Sequence, residues 1–455
     1  MNLTLHHTLS HSVLPVTGQS CRVHVLIEIG GKSTSQPLPM DISLVIDCSD
    51  SMRILMVSNA QFKDLAKSGN IVEVVTDGVP AWKIQNMSAE QLGNLPRRID
   101  YVAEALRVIS DRIRAIDYFS LIAFAQQSQI IIPTTSGKER HRLSQAANQL
   151  DFLSLGNETE MAPAMEKALG QFQLSLVSGA AKRMVVLTDG YTKNASQCYK
   201  QAKIAQKAGI TLTTMGMGNE FNEELLIPLA DSTGGHSYFI EKPEQVMDAF
   251  TRELGSALSV HYRNMEVKIK LTPGVELIHA YHILPSLSEF DPGPNDAGNY
   301  SFYLGDFDPT DPPSILLELQ LPGWGTGDFR GAQMLLTCDN PDSKKPRLIV
   351  RDDVVFSMNP YSAGHSNDRI ARLIDKVHAV ELGTLALKEA NQGNAGSATQ
   401  KLRQAATRLL DMGELELGNT MLLQANILEQ QGSLNPEVTK RLRYDTRKIT
   451  RRLAD

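Results

Sequence analysis

The sequence predicts a multidomain α/β protein: a doubly wound, Rossmann-like sheet inserted in a β-sandwich, followed by an all-α helical region. Three observations lead there. Short apolar runs at 42–46, 120–124, 184–187 and 210–215 lack strict alternation and are separated by amphipathic helical stretches, the pattern of parallel strands covered on both faces. Segments with period-two alternation stand on either side of that region, and from Asn367 onward the pattern is helical. A length of 455 residues suits about three compact units.

Residues 1–40 carry Leu3-Leu5 and then Val23-Val25-Ile27-Ile29, which read as strands broken by the Gly30-Gly31 turn, Pro37 and Pro39. They are too few to enclose a core alone. Residues 259–358 return to alternation, as in Val267-Ile269-Leu271 and Ile315-Leu317-Leu319. The two β regions are therefore expected to form one discontinuous sandwich around an α/β domain at 41–258. In that domain Ile99, Val102, Leu106, Ile109, Ile113 and Ile116 step by three and four, marking one helix face against the sheet. Residues 364–455 form the helical domain, divided into about four segments at Gly393, Gly413 and Gly432, where helix C-termini favour glycine.

With 42% hydrophobic and 21% charged residues, wholesale disorder is excluded. A net charge of -6 gives no global reason to bind nucleic acid or anionic lipid, and no 18-residue apolar run suggests a membrane span. The first residues, MNLTLHHTLSHSVLPV, do not resemble a secretory signal, and Cys21, Cys48, Cys198 and Cys338 stand singly, without CxxC pairs. A reduced, cytoplasmic setting is expected.

The run Asp41 to Ile46 ends in Asp47-Cys48-Ser49-Asp50-Ser51, a D-x-S-x-S pattern at the carboxyl end of the first strand of an α/β sheet, where such sheets bind ligands. Two later pieces join it: Gly156-Asn157-Glu158-Thr159 before a helix near Met161, and Thr188-Asp189-Gly190 at the end of a later strand. Each alone would be ordinary turn and cap chemistry. Together and in this order they resemble the metal-ion-dependent adhesion site of the von Willebrand factor A family in its bacterial type. The resemblance continues through Asp117 to Phe124, Gly209 to Gly218, Phe221-Asn222-Glu223 and Gly234-Gly235-His236. It implies that Ser49, Ser51 and Thr159 ligate an ion directly, while Asp47 and Asp189 act mainly through waters and hydrogen bonds to the serines. Asp50 departs from the family pattern, which often has Gly there; it is expected to face water.

Hydroxyls and carboxylates are hard ligands suited to Mg²⁺, with Mn²⁺ or Ca²⁺ as alternatives, and the absence of His and Cys argues against zinc. An ion with few carboxylates of its own stays electrophilic and can accept an acidic side chain from a partner protein.

An insertion of about 45 residues (53–95) separates Ser51 from the next helix. It contains an expected helix at 60–67 and a hairpin of 71–76 with 79–84 around Asp77-Gly78, with Trp82 on its second strand. It reads equally as a specificity platform or as a subdomain whose Trp82 fills its own core. Weaker signals are set aside. Gly31-Lys32-Ser33 lacks the first glycine of a phosphate loop, and Gly216-Met217-Gly218 lacks the third glycine of a dinucleotide fingerprint. His279 and His282, three apart on a strand, face opposite sides. The basic stretch 436–455 reads as a solvated helix face with Val438, Leu442, Ile449 and Leu453 inward.

Two functions follow. The first is a non-enzymatic, Mg²⁺-dependent adaptor or scaffold binding an acidic residue of a protein partner; by resemblance that partner would be an ATPase, kinase or phosphatase of the same bacterial system, with neither nucleic acid nor membrane. The alternative is a Mg²⁺-dependent phosphohydrolase with Asp47 as nucleophile. It lacks the second close acid and the phosphate-facing lysine such chemistry needs.

Overall fold

The computed structural model describes residues 2–32, 37–55, 59–76, 79–86, 95–290, 298–339, 347–361 and 365–450. The Asp77-Gly78 turn, the Trp82 side chain, Arg451-Arg452 and Leu453 lie outside the described residues. The chain divides into two compact units, one of residues 37–260 and one of 1–36 with 261–455.

The second unit opens with β1 (Asn2–Leu9) and β2 (Cys21–Lys32), paired antiparallel. The α/β unit then starts with β3 (Met40–Asp47), every residue of which is buried. After it come α1 (Asn59–Lys67) and the hairpin β4 (Ile71–Thr76) and β5 (Val79–Ile84), then α2 (Arg98–Arg112), β6 (Tyr118–Phe124) and β7 (Ser128–Ser136). Next are α3 (His141–Ala147), α4 (Met161–Leu174), β8 (Ala181–Thr188), α5 (Ala195–Lys207), β9 (Ile210–Met217), α6 (Glu223–Asp231), β10 (Ser237–Ile240) and α7 (Gln245–Leu258). The main sheet has the order β10-β9-β8-β3-β6-β7. Five strands are parallel and β7 is an antiparallel edge, an element the run of strand-helix repeats did not announce. Its Pro133 suits an edge, where a missing N–H costs no ladder bond.

The helix before β6 ends one turn earlier than the apolar spacing suggested. Ile113 is buried just past its end, but Ile116 is 53% exposed in the turn into β6 and faces no core.

The sandwich continues with β11 (Tyr262–Leu271), β12 (Glu276–Leu284), β13 (Ser288–Glu289), β14 (Asn299–Phe307), β15 (Ser314–Leu321), β16 (Gly327–Asp339) and β17 (Arg347–Met358). Its sheets are β1-β2-β15-β12-β13 and β14-β11-β16-β17. β2 pairs with β15 from Cys21 against Leu321 to Glu28 against Ser314, so strands before and after the α/β unit share one sheet. Alternation explains the layers. Val23, Val25, Ile27 and Ile29 join Ile315, Leu317 and Leu319 in the inter-sheet core, while Leu26, Tyr281, Ile283 and Leu316 face outward into a second core.

That second core is closed by helices α8 (Asp368–Asn391), α9 (Ala395–Asp411), α10 (Leu415–Gln431) and α11 (Pro436–Arg447), through Ile370, Leu373, Val377, Leu409 and Leu442 among others. Gly393, Gly413 and Gly432 all sit at positive φ where helices end. The last helix stops at Arg447 and does not run through the basic stretch. Lys440, read as part of a solvated face, is buried.

Candidate metal centre

In the sheet, β3 leads rightward to β6 and β7, while β8 returns to its other side and continues to β9 and β10. The chain thus reverses between β3 and β8, and the crevice at their carboxyl ends is the topological switch point. Asp47 ends β3, and Asp189 follows β8 directly.

The Asp47 carboxylate is fully enclosed and both its oxygens are used. Oδ1 accepts the Ser49 N–H at 2.9 Å, and Oδ2 accepts the Thr188 hydroxyl at 2.6 Å. The Ser49 and Ser51 hydroxyls lie 3.0 Å apart, and the Ser51 hydroxyl donates to Asp189 Oδ1 at 2.7 Å. Asp189 Oδ2 accepts from Arg98 Nη1 at 2.6 Å. Four of the five residues singled out in the sequence therefore form one hydrogen-bonded chain, Asp47 to Ser49 to Ser51 to Asp189.

Thr159, the fifth, is buried beside this chain: its Oγ1 lies 2.9 Å from where a Cβ on Gly190 would stand, so the glycine after Asp189 makes room for it. Its loop is tied down around the threonine and into the helix that follows. Glu160 N donates to Ala125 O at 2.9 Å, Met161 N donates to Thr192 Oγ1 at 3.2 Å, and Glu158 pairs with Lys193. Asp50 faces outward, its side chain 48% exposed and 3.2 Å from Arg53 Nη1.

Burial pushes the Asp47 carboxyl up to about 7, and the Asp189 charge adds to the rise. Burial also raises Asp189, against the opposing pull of Arg98 and the Ser51 hydroxyl. Two enclosed carboxylates beside three hydroxyl oxygens form an oxygen-only donor set, the chemistry of a hard divalent cation. Among the described residues no group of three or more His, Cys, Asp or Glu gathers for a metal, so the hydroxyls are indispensable to this set.

The insertion begins later than the spacing suggested. Arg53 is bound into the site's rim: Nη1 donates to Cys48 O at 3.1 Å and Nη2 to Leu153 O at 2.6 Å. A bridge between Leu55 and Arg97 closes the base, and Arg97 Nη1 holds Asp151 Oδ1 at 2.6 Å. The helix at 59–67 and the hairpin 71–76 with 79–84 are present within it.

Sequence reading missed Thr188 as a partner of Asp47 and Arg98 as a partner of Asp189. Arg98 carried a signal: it is the first residue of α2, where a cation opposes the helix dipole unless an anion faces it.

The α/β unit has the fold of a von Willebrand factor A domain, and the chain carries two recognisable domains. Residues 85–252 match the von Willebrand factor type A domain, and residues 368–452 match the Sll0103-like, C-terminal alpha-helical domain. The first match starts beyond Asp47, Ser49 and Ser51 and includes Thr159 and Asp189. In fold the chain is similar to a von Willebrand factor type A protein from Catenulispora acidiphila, with a TM-score of 0.73 at 13% identity over 98% of this chain and 96% of that one. It is 22% identical to YfbK of Escherichia coli (strain K12) over 181 residues, 39% of this chain and 31% of that protein. It is also 22% identical to sll0103 of Synechocystis sp. (strain ATCC 27184 / PCC 6803 / Kazusa) over 262 residues, 55% of this chain and 60% of that protein. The matched stretch thus spans less than two thirds of either relative. No helix among the described residues is long and apolar enough to cross a membrane.

Proposed function

We propose that this chain is a Mg²⁺-dependent protein-interaction module whose metal-ion-dependent adhesion site binds an acidic side chain of a partner protein. The observation that carries the reading is the hydrogen-bonded chain Asp47, Ser49, Ser51 and Asp189 at the switch point, with Thr159 seated against Gly190. Ser49, Ser51 and Thr159 would hold the ion directly, and Asp47 and Asp189 would act through waters. The ion, Mg²⁺ or in its place Mn²⁺, would supply an electrophilic anchor for a carboxylate. The partner in this reading is a component of a multi-protein bacterial system, such as an ATPase, kinase or phosphatase, in the cytoplasm. The phosphohydrolase alternative fares poorly: Asp47, its nucleophile, is fully enclosed and held by the Ser49 N–H and the Thr188 hydroxyl, whereas a nucleophile must be reachable by the substrate phosphorus.

Calorimetric titration with Mg²⁺ or Mn²⁺ tests the site. Asp47→Ala and Asp189→Ala should each weaken binding by about 10–100-fold, the loss usual for residues that orient metal ligands. Equal affinity in either variant would refute the assignment. Capture of an acidic partner should in turn be lost with chelator.

A further inference from the structure

The guanidinium of Arg98 has no place in the metal-binding pattern read from the sequence, yet it is built into the centre. Its side chain is 11% exposed, and Nη1 lies 2.6 Å from Asp189 Oδ2. Nη2 lies 3.4 Å from Glu220 Oε2, on the more exposed side. The other oxygen of Asp189 accepts the Ser51 hydroxyl, so one carboxylate connects a proposed metal ligand to a fixed cation. The space is made by Gly218, at φ 72°, where a Cβ would stand 3.1 Å from both Arg98 Nη2 and Glu220 Oε2. Arg98 is held from behind as well. It opens α2 next to Arg97, whose N–H donates to Asp100 Oδ2 at 2.8 Å and whose guanidinium grips Asp151.

We propose that Arg98 is an internal counter-charge that competes with the divalent cation for Asp189 and thereby holds the site's intrinsic cation affinity down. This rests on the metal reading above. Asp189 is fully enclosed, so a cation at 2.6 Å offsets its field with little screening. With Arg98 opposing one of the two carboxylates, a divalent ion is left short of one negative charge, and a partner's carboxylate supplies it. The arrangement makes cation and acidic partner bind best together, and the coupling is reciprocal. Glu220 competes with Asp189 for the same guanidinium and so favours cation binding indirectly, in addition to the direct attraction of its own charge.

The test is Mn²⁺ titration of the full chain by calorimetry, with thermal unfolding in chelator as the control for folding. Arg98→Gln should tighten Mn²⁺ about tenfold, and Glu220→Gln should weaken it about threefold by leaving Arg98 wholly to Asp189. In the Arg98→Gln background Glu220→Gln should weaken Mn²⁺ by less than it does in the wild type, since only the direct attraction of the Glu220 charge then remains. A merely structural ion pair would give loss of stability without this opposition of signs. If Arg98→Gln does not fold, Arg98→Met, which removes the charge but keeps a long side chain, carries the same expectation of tighter Mn²⁺. Wild-type binding with unchanged or weaker affinity in Arg98→Gln, or unchanged or tighter affinity in Glu220→Gln, overturns the inference and leaves the metal reading standing. No Mn²⁺ binding by any of these proteins overturns both.

Discussion

Gly190 separates what the site needs for geometry from what it needs for charge. A Cβ there would meet Thr159 Oγ1 at 2.9 Å, closer than side chains tolerate, while the other atoms nearby belong to the same threonine at 3.7 Å and beyond. Gly190→Ala should therefore displace Thr159 and lower Mg²⁺ affinity about tenfold, by disturbing one proposed ligand, with global stability changed by less than about 1 kcal/mol. Paired calorimetry and urea unfolding check this; a large stability loss with unchanged affinity would remove Thr159 from the ligand set. The hydroxyls and acids here were legible because D-x-S-x-S and T-D-G are local strings at strand ends. Thr188 was not, and Arg98 was marked only as a cation at a helix start, since their partners come from strands and helices that meet only in the fold. Thr188 and Asp47 are 141 positions apart, and Arg98 and Asp189 are 91 apart.

Strands and helices were legible where one face is apolar, and less so where tertiary structure overrides the pattern. β3 and β8 could be read directly from their apolar runs. The edge strand β7 mixes exposed Gln129 and Ile130 with Pro133, so its period is blurred by solvent on one side. Within β3, Asp41 is the anomaly: it is 2% exposed at the end remote from the site, and burial raises its carboxyl to about 6. An acid with a folded pKa above its unfolded value near 3.9 adds stability that is fully present below about pH 4 and lost as pH rises through 6. The size implied is about 2–3 kcal/mol. Asp41→Asn, which cannot ionise, should flatten that part of the profile. Wild type should lose about 2–3 kcal/mol relative to the variant between pH 4 and pH 7 in urea unfolding. A constant difference across that window would show that Asp41 ionises as freely in the folded chain as in the unfolded one.

At the scale of the whole molecule, the discontinuous sandwich could be anticipated because 40 residues cannot enclose a core. The short apolar stripes of the C-terminal helices predict a partner-binding or bracing unit, but the surface these helices cover was not legible, because strand alternation does not reveal that a sheet is covered on both faces. Their apolar stripes are used on the outward face of the sheet containing β2, β12 and β15, against Leu26, Tyr281, Ile283, Leu284, Leu287 and Leu316. Returning six such side chains to water costs about 1.5–3 kcal/mol each, on the order of 10 kcal/mol together, which matches or exceeds the whole stability of a typical domain. The α/β unit has its own core, built from Ile42, Leu44, Ile46, Leu106, Phe119, Val185 and Phe250 among others. Removing residues 364–455 should therefore unfold the sandwich, seen as loss of one thermal transition and gain of dye binding to exposed apolar surface. The α/β unit should keep its own transition and the Mg²⁺ affinity proposed for it within about twofold, because residues that do not share a core act independently. A truncated chain whose sandwich still melts cooperatively would mean that the helices sit on the sheet without supporting it; loss of metal affinity would mean that the two units depend on each other for the site.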